Sequence, residues 1–179
     1  MSIRFDEKVV IVTGAGGGLG REHALEFARR GAKVVVNDLG GSVDGSGASD
    51  SANEVVERIK SEGGDAIANG ASVTDLDAVK GMVDKTMKKW GRVDVLVNNA
   101  GILRDKSFHK MSIEDFNLVM SVHFEGTLNC THTVFPIMRD QNYGRIIFTS
   151  SSSGVFGNFG QSNYGSAKMA MVGLMNTLT

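Results

Sequence analysis

Tyr164 and Lys168 are four positions apart in the run Tyr164-Gly-Ser-Ala-Lys168. On a helix that spacing puts both side chains on one face. A free phenol, with a pKa of ~10, is a poor base at neutral pH. An ammonium a few ångströms away favours its phenolate, and the pair can then give and take one proton. The plainer alternative is a core tyrosine with a lysine stem lying beside it. A second chemical signal lies near the start of the chain. In Thr13-Gly-Ala-Gly-Gly-Gly-Leu-Gly20, the glycines at 14, 18 and 20 permit a tight turn and let a pyrophosphate approach a helix N-terminus. Asp38 follows eighteen residues after Gly20, where a carboxylate accepts hydrogen bonds from adenosine ribose hydroxyls and repels a 2′-phosphate. The turn from Ala15 to Leu19 has no basic residue to pair with such a phosphate. These features favour a nicotinamide dinucleotide, NAD over NADP, with hydride transfer coupled to the proton on Tyr164. Lys168 would then also hold the nicotinamide ribose. Against this stand a tight turn with no ligand and a solvated loop aspartate.

A glycine turn can cradle phosphate only where a strand meets a helix, and the surrounding pattern supplies both. Val9 to Val12 is a β-branched run that reads as a strand buried on both faces. Leu19 to Arg30 carries apolar residues at helical spacing and stops at Gly31. Further strands are predicted at Lys33–Asn37, Ala66–Ala68, Val93–Val97 and Arg145–Thr149. Helices are predicted over Asn53–Lys60, from a Thr74-x-x-Asp77 capping box to Trp90, from Ser112-x-x-Asp115 onward, and from about Asn163. Pro136, the only proline, should bend or end the long helix that contains it near its C-terminus. The Gly- and Ser-rich stretch from Leu39 to about Ser51 is long for a strand-to-helix connection. Alternating strands and helices imply right-handed crossovers, hence an α/β fold of the Rossmann type. The expected sheet is parallel and doubly wound, with strand order 3-2-1-4-5.

Composition narrows the function classes. The sequence has 179 residues, 41% of them hydrophobic, with 19 basic and 20 acidic residues giving a net charge of −1. No block of like charge suggests a nucleic-acid or membrane surface, and no apolar run approaches the ~18 residues of a membrane span. The opening residues contain no apolar signal region. One cysteine, Cys130, makes neither an internal disulfide nor a metal cluster, so a reducing compartment and no metal are expected. Residues 1–179 read as one dinucleotide-binding domain without linker or repeat. Thr179 falls within a helical pattern with no closing glycine or polar cap, so further C-terminal sequence is expected.

With Asn98-Asn-Ala-Gly101 placed between the glycine turn and Tyr164-x-x-x-Lys168, the sequence resembles the short-chain dehydrogenase/reductase family over its whole length. The resemblance implies Ser151, thirteen residues before Tyr164, as the group that hydrogen-bonds the substrate oxygen beside Tyr164. It implies Leu19, Ser72, Val73 and Asn99 as further cofactor contacts. Ala71 stands where an acidic residue is usual, which puts the adenine contact there in doubt. The family also carries an asparagine three residues before a glycine in the long helix, supporting water next to the lysine. Here His123 occupies that place before Gly126, a proton relay or a bare core histidine. Within the family, Asn37-Asp-Leu-Gly-Gly41, Gly101-Ile-Leu-Arg-Asp105 and Gly157-Asn-Phe-Gly-Gln161 look like the (3R)-hydroxyacyl-CoA dehydrogenase part of type-2 multifunctional β-oxidation enzymes. That implies a 3-hydroxyacyl-CoA/3-ketoacyl-CoA pair as substrate and a cytoplasmic location, or a peroxisomal one in a eukaryote. Arg104 and Lys106 would meet CoA phosphates or stay solvated loop charges. The apolar face of Met169, Met171, Leu174, Met175 and Leu178 reads as core or subunit interface, and relatives imply a homodimer or homotetramer. The rival functions are an NADPH-dependent 3-oxoacyl carrier-protein reductase, disfavoured by Asp38, and a cofactor-sensing scaffold, which would not need both Tyr164 and Lys168.

Overall fold

β-Branched residues that must bury both faces leave a strand little choice but the centre of a parallel sheet, and β1 (Val9–Thr13) lies there, wholly buried. The computed structural model describes residues 3–47 and 49–178. β1 pairs in parallel with β2 (Lys33–Asn37) on one side and β4 (Val95–Asn98) on the other. β3 (Asp65–Asn69) and β5 (Arg145–Phe148) complete five parallel strands in the order β3-β2-β1-β4-β5. The register sets Val10 beside Val34 and Val95, and Ile11 beside Val35 and Leu96. The two-residue period then sends Val10, Val12, Val34, Val36, Val95 and Val97 to one face, and Ile11, Val35 and Leu96 to the other.

Each face is covered by helices whose apolar stripes meet those valines. α1 (Gly18–Arg29) and α2 (Ser51–Ser61) bring Leu25, Val55, Val56 and Ile59 to the first face. α3 (Leu76–Trp90) and α5 (Gly126–Asp140) bring Val79, Met82, Val83, Cys130 and Val134 to the second. Each such side chain, fully buried, contributes ~1.5–3 kcal/mol. Asp94, fully buried before β4, accepts from Val9 N at 2.9 Å and pairs with Arg92 at 2.7 Å, which fixes the register of β4 against β1.

Three sequence expectations change in detail. The cap of α3 is Asp75, not Thr74: its carboxylate accepts from Asp77 N and Ala78 N, both at 3.0 Å, while the Thr74 hydroxyl bonds Ser72 Oγ. A carboxylate outcompetes a hydroxyl for first-turn amides. Pro136 does not end its helix; α5 runs four residues further and closes through Gln141 N on Ile137 O. The long helix capped by Ser112 is not uniform. α4 (Ile113–Met120) passes into a π-helical turn at Ser121–Glu125 before α5 begins. Two elements complete the fold: α6 (Ser152–Phe156), absent from the sequence reading, and α7 (Ser162–Thr177), which carries Tyr164 and Lys168. The expectation about the chain's end falls on Thr179, outside the described residues. No helix among the described residues is long and apolar enough to cross a membrane.

Candidate active site

Parallel strands deliver their following loops to one edge of the sheet, and a cleft of about 580 Å³ opens there between the loops after β1, β2 and β4. The glycine turn forms its floor. Gly14 (φ +62°) packs so closely that a Cβ would stand 2.8 Å from Ala100 Cα. A Cβ on Gly20 would run into the Gly14 carbonyl and Asn99 Nδ2, so α1 reaches its seat only because residue 20 has no side chain. Asn99 ties the turn to β4 by donating to Thr13 O and Gly14 O, both at 3.0 Å. Thr13 Oγ1 accepts from Asn99 N and Ala100 N at 3.0 Å.

This floor fits a dinucleotide. No side chain caps the N-terminus of α1 at Gly17, leaving its first-turn N–H groups to an anion. A Cβ at Gly17 or Gly18 would meet nothing within 4 Å, so that side of the turn faces open space. Asp38 stands at the cleft with its carboxylate pinned, Oδ2 accepting from Gly16 N at 2.8 Å and Oδ1 from Gly40 N at 2.7 Å. Each oxygen keeps a lone pair for a ribose hydroxyl. Gly14, Gly18, Leu19, Asp38, Ser72, Val73 and Asn99 all line the cleft; Gly20 lies beneath it. Ala71 lines it too, offering no carboxylate.

The second group of residues sits past the end of this cleft, after β5 and on α7. Lys168 is buried, 3% exposed, and its Nζ donates to Thr149 O. Nζ stands 5.4 Å from the centroid of the Tyr164 ring. Burial pushes the ammonium down from 10.5 to about 8. Ser151 caps the N-terminus of α6, its Oγ accepting from Ser153 N at 3.2 Å, which leaves the hydroxyl proton free to donate elsewhere. His123, on the π-helical turn, meets Tyr164 edge-on at 5.1 Å between ring centroids. Its Nε2 lies 3.0 Å from Ile102 N and 2.8 Å from Ile102 O, and Ile102 lines the cofactor cleft. Burial pushes the imidazole from 6.5 to about 4, and the Lys168 charge pushes the same way. Its Nδ1 is buried without a partner among the described residues. His123 thus joins the two groups of residues, and nothing with a Cβ would fit against its ring at Gly101.

Several contributors escaped the sequence reading. Leu118 on α4, with Ser121 and Val122 on the π-helical turn, also lines the cleft. The Leu39–Ser51 loop folds onto the segment after β4: Leu103 N donates to Val43 O at 2.9 Å and Arg104 Nε to Asp44 O at 2.8 Å. Its length was the available signal. Arg104 and Lys106 both face Asp115, at 3.7 and 3.6 Å, so both are loop charges already provided with a carboxylate. Buried Asn163 donates to Arg104 O at 3.0 Å and accepts from Tyr164 N at 2.7 Å, setting the start of α7.

A doubly wound parallel sheet with a glycine turn at its switch point defines the Rossmann-type class. Within it, the chain belongs to the short-chain dehydrogenase family, whose model matches residues 8–179. It is 57% identical over 177 residues to the peroxisomal multifunctional enzyme type 2 of Drosophila melanogaster, covering 98% of this chain and 29% of that protein. It is 52% identical over 178 residues to the peroxisomal hydratase-dehydrogenase-epimerase of Saccharomyces cerevisiae, covering 99% of this chain and 20% of that protein. The crystal structure of an NAD⁺-bound xylitol dehydrogenase superposes with a TM-score of 0.90 at 30% identity, over 98% of this chain and 65% of that one. The chain therefore spans less than a third of the two peroxisomal relatives.

Proposed function

We propose that residues 1–179 form the cofactor-binding and catalytic unit of an NAD-dependent oxidoreductase acting on a 3-hydroxyacyl-CoA/3-ketoacyl-CoA pair. The observation that carries this reading is the Tyr164–Lys168 pair, one turn apart on α7, with Lys168 buried on Thr149 O and Ser151 opening the neighbouring helix. The glycine turn and the first turn of α1 would hold the pyrophosphate, with Leu19, Ser72, Val73 and Asn99 around it. Asp38 would hold the adenosine ribose. Its pinned carboxylate favours NAD because a 2′-phosphate would meet a fixed negative charge. When bound, the nicotinamide ring supplies the hydride acceptor. Ser151 Oγ–H donates to the substrate oxygen and fixes it beside Tyr164. Tyr164 Oη takes the alcohol proton as the C–H hydride leaves, and returns it in the reverse direction. Lys168 holds the ribose and sets a positive charge near the phenol. His123, uncharged at neutral pH, holds the Ile102 turn, and its unpartnered Nδ1 suits a water on a proton path to Lys168.

The acyl-CoA substrate rests on likeness to the multifunctional enzymes, and their names favour a peroxisomal location. Exposed Met169 and Met175 on α7 suit a homodimer or homotetramer. The test is the natural full-length protein assayed with NAD⁺ and NADP⁺ on 3-hydroxyacyl-CoA esters, beside its Tyr164→Phe variant. Turnover should prefer NAD⁺ and fall at least ~100-fold in the variant, about 3 kcal/mol of transition-state stabilisation, while NAD⁺ binding stays unchanged. Retained turnover in the variant would move the proton transfer elsewhere. Equal use of NADP⁺ would undo the reading of Asp38 and favour a reductase.

A further inference from the structure

We propose that Gln161 is a positioning residue for Ser151 and Tyr164, a latch between the turn after β4 and the start of α6; this rests on the roles given to those two residues above. Gln161 is the last residue before α7. Its Oε1 accepts from Ser153 Oγ at 2.8 Å and from Asn158 Nδ2 at 3.0 Å. Its Nε2 donates to Asp105 Oδ2 at 2.8 Å, across 56 residues of sequence. One side chain therefore joins three segments: 104–106, 151–153 and 158–163. The orientation of its amide is forced. An ionised carboxylate only accepts, so the NH₂ end must face Asp105 and the oxygen must face Ser153. A neutral primary amide is the side chain that can accept twice at one end and donate at the other.

The latch reaches the reacting groups through short routes. The backbone N–H of Ser153, the residue that Gln161 grips, donates to Ser151 Oγ and so sets where that hydroxyl points. On the other side Gln161 O accepts from Gly165 N at 2.7 Å, fixing the first turn of α7 on which Tyr164 stands. Two neighbouring bonds hold the same seam: Lys106 N to Gly160 O at 2.9 Å, and Asn163 Nδ2 to Arg104 O at 3.0 Å. Those bonds fix the seam itself. Among the described residues the Gln161 side chain is what carries it across to Ser153, and so to the distance between Ser151 and Tyr164.

The chemistry of the latch prescribes an unusual pattern of variants. Gln161→Glu sets a second carboxylate against Asp105 and loses the donated bond. Asp105→Asn alone should be nearly silent, since the new amide can turn its oxygen to Gln161. In Gln161→Glu/Asp105→Asn the donor and acceptor are exchanged: the amide at position 105 would give to a carboxylate that still accepts from Ser153 and Asn158. In the full-length enzyme, Gln161→Glu should lower kcat about tenfold with the KM for NAD⁺ unchanged, Asp105→Asn should stay within about twofold, and the pair should return to within about threefold of the parent. A merely structural side chain would instead show a drop in melting temperature that accounts for the loss of kcat, both recovering together in the pair. The proposal is overturned if Gln161→Glu keeps the parent kcat, or if the double variant is no better than Gln161→Glu. Activity retained by Tyr164→Phe would strike the assignment of the chemistry instead, so the two readings fail by different results.

Discussion

The two ends of the site are built from different materials. At the cofactor end the partners are mostly main chain: Asn99 on the Thr13 and Gly14 carbonyls, Asp38 on the Gly16 and Gly40 amides, Gly20 beneath the Gly14 carbonyl. At the other end they are buried titratable side chains, Lys168 and His123, held at single points and displaced from their ordinary pKa values. The first end is a shape and is damaged by adding atoms. The second is a set of charge states and is damaged by changing protons. A shape set by backbone resists pH, whereas desolvated titratable side chains make their surroundings sensitive to it.

The largest effect should come from filling the shape. Gly20→Val places branched carbons where even one would strike the Gly14 carbonyl and Asn99 Nδ2, both of which are tied to β4. Backbone cannot step aside as a side-chain tip can, so the loss should be about 3 kcal/mol of stability, with dinucleotide affinity reduced at least tenfold. Gly17→Ala, three residues away, meets nothing within 4 Å and starts from an extended backbone with φ −152°. Its stability should stay within about 0.5 kcal/mol of the parent. Denaturant unfolding and dinucleotide titration of both variants would check the contrast, and equal losses would erase it.

The same contrast decides what could be read in advance. Shape leaves a local trace: β-branched runs, glycines at 14, 18 and 20, and a capping Ser112 followed by Asp115 N at 3.1 Å. From these the strand order and the glycine turn at the switch point follow, since right-handed crossovers leave few arrangements, whereas Leu19, Ser72, Val73 and Asn99 came from the family resemblance and not from any local pattern. Asp75 was missed for Thr74 because two adjacent oxygens compete for one set of amides, and only geometry names the winner. The π-helical turn at Ser121–Glu125 adds a residue to a helix without altering its composition, so nothing in periodicity marks it. Its consequence, the seating of His123 between Ile102 and Tyr164, was hidden with it. Pairs such as Gln161 with Asp105, or Asn163 with Arg104, join residues more than fifty positions apart and leave no local pattern.

A smaller effect should appear at the charged end on raising pH. The folded pKa of Lys168, about 8, lies below its ordinary 10.5, so between those values the unfolded chain binds more protons than the folded one. Stability contributed at this site therefore rises with pH across that window. Lys168→Met removes the titration while keeping the stem. Between pH ~7 and pH ~10 the parent should gain about 2–3 kcal/mol relative to the variant. Unfolding both at the two pH values gives the difference directly. A difference that does not change with pH would mean that Lys168 is not desolvated as its 3% exposure implies.

The smallest effect lies at His123 on the acid side, and it bears on what this residue can do. Its imidazole is buried, bonded through Nε2 to the Ile102 backbone, and faces the Lys168 ammonium and the Tyr164 ring edge. Its folded pKa of about 4 lies below the ordinary 6.5, so protonation favours the unfolded chain. The stability present above pH 6.5 is lost as pH falls through 6.5 towards 4. Lys168 stays charged throughout this range, so its push on the imidazole is constant and the slope belongs to His123. From pH ~7 to pH ~5 the parent should lose about 2 kcal/mol relative to His123→Gln, which keeps an amide for the Ile102 turn but cannot titrate. The alternative is an imidazole that carries charge as it passes protons, with a pKa near its ordinary value. That residue would give no relative loss. Parallel stabilities of parent and variant over this range would therefore make His123 a charged relay, whereas the expected divergence keeps it neutral, able to hold a water beside Lys168 but not to store the proton itself.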